Sequence, residues 1–191
     1  MNHGEYASIG ATNHSKYPRG ENDFYITDPL AIRLLDRQKL LDKNNKYWEC
    51  ACGNGSLSKE LTRLGYDVVS SDLFDRGYGK SGIDFLKCND KFDGNIITNP
   101  PFSLLEKFIL KGLDLTDNKL YIFARIQAIE TLSRYNNIYK NNPPVWICPF
   151  VRRIRCFKQN DGKIEKGATC FAWFIWDNQD NSNETRVRWL I

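Results

Sequence analysis

Asn99-Pro100-Pro101-Phe102 closes the apolar run Asn95-Ile96-Ile97-Thr98, and it is the stretch of this chain best equipped for chemistry. The run reads as a buried strand that stops abruptly. Proline cannot donate to a sheet ladder, so two in succession turn the chain out of the sheet. The residue before a proline is pushed to an extended conformation. The expected product is a stiff turn at the carboxyl end of a strand. It holds the Asn99 amide, the Pro100 carbonyl and the Phe102 ring in fixed relation. Open α/β sheets place their ligands at that edge. A planar substrate bearing an amino group could stack on the ring there and donate two hydrogen bonds.

A second constellation lies upstream. Tyr47 to Ala51 reads as a strand, Cys52-Gly53-Asn54-Gly55 as a tight turn, and the residues to Leu64 as a helix. The two glycines let backbone approach a ligand with no Cβ in the way. Asp67-Val68-Val69-Ser70-Ser71-Asp72 then reads as a strand ending in a carboxylate. Asp72 lies ~17 residues beyond Gly55, near the separation at which an acid meets ribose hydroxyls in nucleoside-binding α/β folds. The pattern is Gly-x-Gly and not Gly-x-Gly-x-x-Gly, which favours a nucleoside ligand without a phosphate grip. Gly-x-Gly alone is common in tight turns. Followed by Asp72 and then by Asn99-Pro100-Pro101-Phe102, it is far more specific.

Together these residues resemble the S-adenosylmethionine-dependent amino-group methyltransferases, in particular the DNA adenine-N6 enzymes of small phage and prophage type. Glu49-x-x-x-Gly53-x-Gly55 resembles their cofactor loop, Asp72 their ribose-binding acid, Asp84-Phe85 the pair that meets the cofactor's adenine, and Asn99 to Phe102 their catalytic tetrapeptide. The likeness extends to Gly10-Ala11-Thr12-Asn13-His14-Ser15, to Asn22-Asp23-Phe24-Tyr25-Ile26-Thr27-Asp28-Pro29, to Ser71 through Gly79, to Asn141-Asn142-Pro143-Pro144 and to the ending Phe171 to Trp176. Ala128-Ile129-Glu130 departs from it, since an aromatic residue is expected early in that segment.

The resemblance implies a Rossmann-like methyltransferase fold and S-adenosylmethionine as cofactor. It implies catalysis by Asn99, Pro100, Pro101 and Phe102. It implies a cofactor site from Tyr25, Thr27, Glu49, Cys52, Gly53 and Gly55, completed by Asp72, Leu73, Asp84, Phe85 and Asn99. The segment Tyr25 to Pro29 would close over the cofactor. DNA is the implied partner. The same tetrapeptide also serves cytosine N4, adenine in RNA and protein glutamine amides. A non-catalytic nucleic-acid-binding protein on this fold is a further alternative. Phe85 and Tyr25 have an alternative as core packing, and Asp84 as a turn residue.

The composition suits one soluble domain: 191 residues, 41% hydrophobic and 26% charged. Most of the five tryptophans are expected in the core. No apolar run approaches the ~20 residues that span a bilayer. The polar N-terminus lacks an apolar signal core, so a cytoplasmic location is expected, with the six cysteines as reduced thiols. The two histidines, His3 and His14, lie in the polar N-terminal stretch, and Cys50 and Cys52 are too close for a zinc hook. No metal site is expected.

The formal charge of +4 is mild, but its distribution is uneven. Arg152, Arg153, Arg155, Lys158, Lys163 and Lys166 face only Asp161 and Glu165. This stretch reads as a solvated hairpin or a phosphate-contacting loop, and the motifs favour the second. Arg125, Gln127 and Arg134 follow a strand end and are DNA-contact candidates, with surface ion pairing as the alternative.

The elements that must position these groups follow from the same pass. Residues 1–22 lack periodicity and are expected as a mobile arm, with 23–191 as the methyltransferase domain. Asp28 and Pro29 open a helix as N-cap and first residue. Strands are expected near 47–51, 67–71, 94–98 and 119–124, with helices near 56–64, 103–113 and 130–140. Residues 145–148 and 168–176 read as two late strands with no helix between them. The expected architecture is a mostly parallel seven-stranded sheet with helices on both faces and an antiparallel hairpin at one edge.

Overall fold

The apolar runs assemble into a seven-stranded sheet in the computed structural model, which describes residues 25–157 and 169–191. The arm expected over 1–22 lies outside the described residues, as do Lys158, Lys163 and Lys166. The strands are β1 (Ile26–Thr27), β2 (Lys46–Glu49), β3 (Asp67–Ser70), β4 (Asn95–Thr98) and β5 (Lys119–Arg125), followed by β6 (Trp146–Pro149), β7 (Cys156–Phe157), β8 (Phe171–Asp177) and β9 (Arg186–Val187). The main helices are α1 (Leu30–Arg37), α2 (Ser56–Arg63) and α3 (Leu105–Leu115).

The sheet order is β3-β2-β4-β5-β8-β6-β9. The first four strands in that order run parallel, β8 is antiparallel to both β5 and β6, and β9 is parallel to β6. The antiparallel pair expected from the two late strands is therefore present, with β9 added as the outermost strand. Seven strands were expected, but β9 had no signal of its own. It is two residues long and both are exposed. A separate two-stranded ribbon pairs β1 antiparallel with β7, with Ile26 opposite Phe157 and Thr27 opposite Cys156.

Side-chain alternation divides the core into two layers. Tyr47, Ile97, Tyr121, Phe123 and Trp173 pack against Ala31, Ile32 and Leu35 of α1 and Leu57 and Leu61 of α2. Trp48, Ile96, Ile122, Phe174 and Trp176 pack against Leu105, Phe108 and Ile109 of α3. Helices thus cover both faces. Gly112 lets α3 approach the sheet, because a Cβ there would meet the Leu120 side chain. Trp48, Trp173 and Trp176 are buried, and each indole N–H finds an acceptor: Ser71 Oγ, the Ala31 carbonyl and the Asn142 carbonyl. Trp189 is exposed.

Helix α1 begins as its sequence dictates. Asp28 Oδ1 accepts from the Leu30 N–H at 2.8 Å, and Pro29 already has helical angles of φ −54 and ψ −20. The 130–140 segment is less regular than its helical reading. It starts at Thr131, held at φ +96, makes a short helical turn over Leu132–Arg134 and ends in a π turn over Tyr135–Tyr139. No helix among the described residues is long and apolar enough to cross a membrane.

Candidate active site

Strands β2 and β4 end on one edge of the sheet, and their exits line a cleft of about 820 Å³ counted out to its open mouth. Glu49 is the last residue of β2 and is 2% exposed. Its Oε2 accepts from the Ser58 N–H at 2.8 Å and from the Ser58 hydroxyl, which pins the first turn of α2 to the strand end. Burial pushes the Glu49 carboxyl up to about 8, against the pull of the two Ser58 bonds, and the negative charge of Asp72 adds to the rise.

The turn between β2 and α2 requires its glycines. Gly53 and Gly55 sit at φ +55 and +79, where other residues are strained. A Cβ at Gly55 would overlap the Tyr78 ring. The Gly53 N–H donates to Asp72 Oδ2 at 2.8 Å, and the Phe74 N–H donates to Asp72 Oδ1 at 2.9 Å. One carboxylate therefore ties the loop after β2 to the loop after β3. Cys52 packs beside it, and burial pushes its thiol up to about 12, with Glu49 and Asp72 adding to the rise. Leu73 lies at the rim of the cleft and is 48% exposed.

Asp84 opens the short turn Phe85–Lys87. Its Oδ1 accepts from the Leu86 N–H and its Oδ2 pairs with Lys87. The Phe85 ring packs between Trp48 and Phe108, with centroids 5.3 and 5.0 Å away. Phe85 thus reaches the cleft as part of its wall, and its ring belongs to the core.

The tetrapeptide leaves β4 directly beneath β1. Asn99 Nδ2 donates to Thr27 Oγ1 at 2.8 Å and to the Tyr25 carbonyl at 3.4 Å, with Cys156 Sγ a weaker acceptor at 3.7 Å. Asn99 Oδ1 is buried, and it has no hydrogen-bond partner among the described residues. Leaving such an acceptor unpaired costs roughly 1–3 kcal/mol, which a structure tolerates where a ligand completes the bond. Pro100 and Pro101 line the cleft beside it. The Phe102 ring lies 4.8 Å from Tyr25 and 6.2 Å from Phe171, with the Arg125 guanidinium over it at 4.7 Å.

The DNA-contact candidates differ in exposure and pairing. Arg125 is exposed as the last residue of β5 and Gln127 in the turn after it, and Arg152, Arg153 and Arg155 are exposed ahead of β7. The Arg155 carbonyl accepts from the Asp28 N–H, which joins this basic stretch to β1. Arg134 instead folds onto the protein: it pairs with Glu106 and donates to the Gln127 and Glu130 carbonyls. That is the ion-paired alternative for this residue. Lys158 lies outside the described residues. Among the described residues, no group of three or more His, Cys, Asp or Glu side chains is placed to hold a metal ion.

Sequence reasoning missed several groups. Asn54, Ser56, Phe74 and Arg76 also line the cleft. The Tyr78 ring caps Gly55, and Lys59 Nζ lies 4.8 Å from that ring's centre. Ser56 and Asn54 were within the glycine-loop run and could have been included. The Tyr78 contact carries no local signal.

No protein-family model matches the chain, and no curated protein matches it. Solved structures do. A protein from Pyrococcus horikoshii assigned as an RNA methyltransferase aligns at TM-score 0.55 and 17% identity, over 78% of this chain and 81% of that one. A modification subunit assigned to a type I restriction enzyme of Vibrio vulnificus YJ016 aligns at TM-score 0.58 and 12% identity, over 89% of this chain and 48% of that one. An O-methyltransferase dependent on S-adenosylmethionine, from Thermotoga maritima, aligns at TM-score 0.52 and 11% identity, over 80% and 66% of the two chains. The chain has the Rossmann-like methyltransferase fold.

Proposed function

We propose that this protein transfers the methyl group of S-adenosylmethionine to the exocyclic N6 amino group of adenine in DNA. The observation that carries the reading is Asn99 Oδ1, a buried acceptor without a partner among the described residues, at the exit of β4. Such an acceptor lacks a hydrogen-bond donor, and an amino group supplies one. The cleft also suits the cofactor. Cys52 and Asn54 of the glycine turn and Ser56 after it line the cleft, and Asp72 and Asp84 offer acceptors to the cofactor's ribose hydroxyls and to its adenine amino group.

When bound, S-adenosylmethionine supplies a methyl group made electrophilic by positively charged sulfur. The chain's own part is to prepare the nitrogen. Adenine's amino lone pair is delocalised into the ring, so the group is a poor nucleophile. Asn99 Oδ1 and the Pro100 carbonyl accept its two N–H bonds, which favours a more tetrahedral nitrogen. Both acceptors hold protons on nitrogen while positive charge grows there, so the bonds strengthen toward the transition state. As the N–C bond forms the S–C bond breaks to leave a neutral thioether, and because neither acceptor is a base the methylated nitrogen then sheds its extra proton to solvent. Phe102 would stack on the base, in competition with Tyr25 and Arg125, which pack on its ring, and a base taken from duplex DNA must first leave the helix at about a few kcal/mol. DNA is favoured by the segments that resemble the adenine-N6 enzymes, by the exposed Arg152, Arg153 and Arg155, and by the fold shared with a restriction modification subunit.

The test is a digest of unmethylated genomic DNA incubated with protein and S-adenosylmethionine, with modified nucleosides measured by mass spectrometry. N6-methyladenine is expected. Asn99→Ala should lower its rate by about 100-fold or more, with cofactor affinity within about threefold by calorimetry. N4-methylcytosine would change the base. No DNA product with cofactor binding intact would overturn the DNA reading.

A further inference from the structure

We propose that Thr27 is a positioning residue that, together with the Tyr25 carbonyl, holds the Asn99 amide nitrogen and so keeps its oxygen for the substrate's amino group. The inference rests on the methyl-transfer reading above. An amide side chain can rotate by half a turn with little change of shape, but the two ends do opposite things: one accepts and the other donates. The Tyr25 carbonyl can only accept, so the amide nitrogen must face it, at 3.4 Å. Thr27 Oγ1 takes the shorter bond from the same nitrogen, at 2.8 Å. With the nitrogen held by Thr27 and by the residue just before β1, Oδ1 is the end left without a partner among the described residues, on a side chain that lines the cleft. A rotated amide would set N–H groups against a substrate amine that also donates, and would turn the Asn99 oxygen onto the Tyr25 carbonyl, another acceptor.

Thr27 can do this because it is itself held. It is 3% exposed, and its backbone lies in the ribbon opposite Cys156. The next residue, Asp28, donates its N–H to the Arg155 carbonyl at 3.0 Å. The hydroxyl therefore has a fixed origin, and Asn99 is oriented by chain far from it in sequence.

Thr27→Val keeps the shape and removes the acceptor, and Thr27→Ser restores a hydroxyl. The first readout needs no turnover. In protein labelled with 15N-asparagine, the Asn99 side-chain amide signal is identified by its loss in Asn99→Ala. Its hydrogen exchange should quicken about fivefold to tenfold in Thr27→Val and stay at the wild-type rate in Thr27→Ser. The second readout is kinetic. Thr27→Val should lower kcat about tenfold to 100-fold while cofactor KM stays within about threefold, and Thr27→Ser should recover most of the loss. Unchanged exchange in Thr27→Val would overturn the proposal. So would a raised cofactor KM at unchanged kcat, which would make Thr27 a cofactor contact. A wild-type protein that methylates no amino substrate would overturn the reading of the site, while the exchange rates would still decide the contact with Thr27.

Discussion

Glu49 carries a proton that its unfolded counterpart would release. Burial raises its carboxyl from an ordinary 4.5 to about 8, so between those values the folded chain binds more protons than the unfolded chain. Stability from this group is full below about pH 4.5 and falls as pH rises through the window toward 8. Thermal melts across that range should show the fall in wild type and a flatter profile in Glu49→Gln, which resembles the protonated acid. An equal slope in both proteins would place the proton elsewhere. Glu49, Gly53, Gly55 and Asp72 were legible as a group because strand, turn and acid follow one another closely in sequence. The contact between Asn99 and Thr27 was not, since 72 residues separate the two and neither type signals the other.

The turn between β2 and α2 shows how an element can be set by one missing atom. Gly55 combines φ +79 with a Tyr78 ring where its Cβ would be. Gly55→Ala should lower the melting temperature by several degrees, since a left-handed L-residue alone costs roughly 1–2 kcal/mol. Adding Tyr78→Ala should relieve the overlap but leave the backbone strain, so recovery in calorimetry should be partial. Full recovery would assign the whole cost to the ring. The central strands were readable because each is an apolar run that the sheet buries. β9 was not, because two exposed residues carry no period and their pairing with β6 is settled by the neighbouring strand. The π turn at Tyr135–Tyr139 was read as helix, since local pattern does not distinguish the two.

Across the whole molecule, Asp72 and Asp84 line the cleft while Arg152, Arg153 and Arg155 stand exposed ahead of β7, which on the proposed reading separates cofactor binding from phosphate contact. On the DNA reading, binding of a short duplex should weaken with salt. Arg152→Gln and Arg153→Gln should each reduce the log–log slope by about 0.9 if the side chain meets a phosphate. Fluorescence anisotropy over a salt series measures this, and an unchanged slope would remove the arginines from the interface. The ribbon of β1 and β7 has a consequence for how the chain folds. Asn99 meets partners 72, 74 and 57 residues away, so its setting requires the closure of long loops. The parallel strands can pair before that closure, and the acceptor gains its direction only when both distant segments arrive. On the proposed reading, a chain whose parallel strands have paired still lacks a working amide until both distant segments arrive.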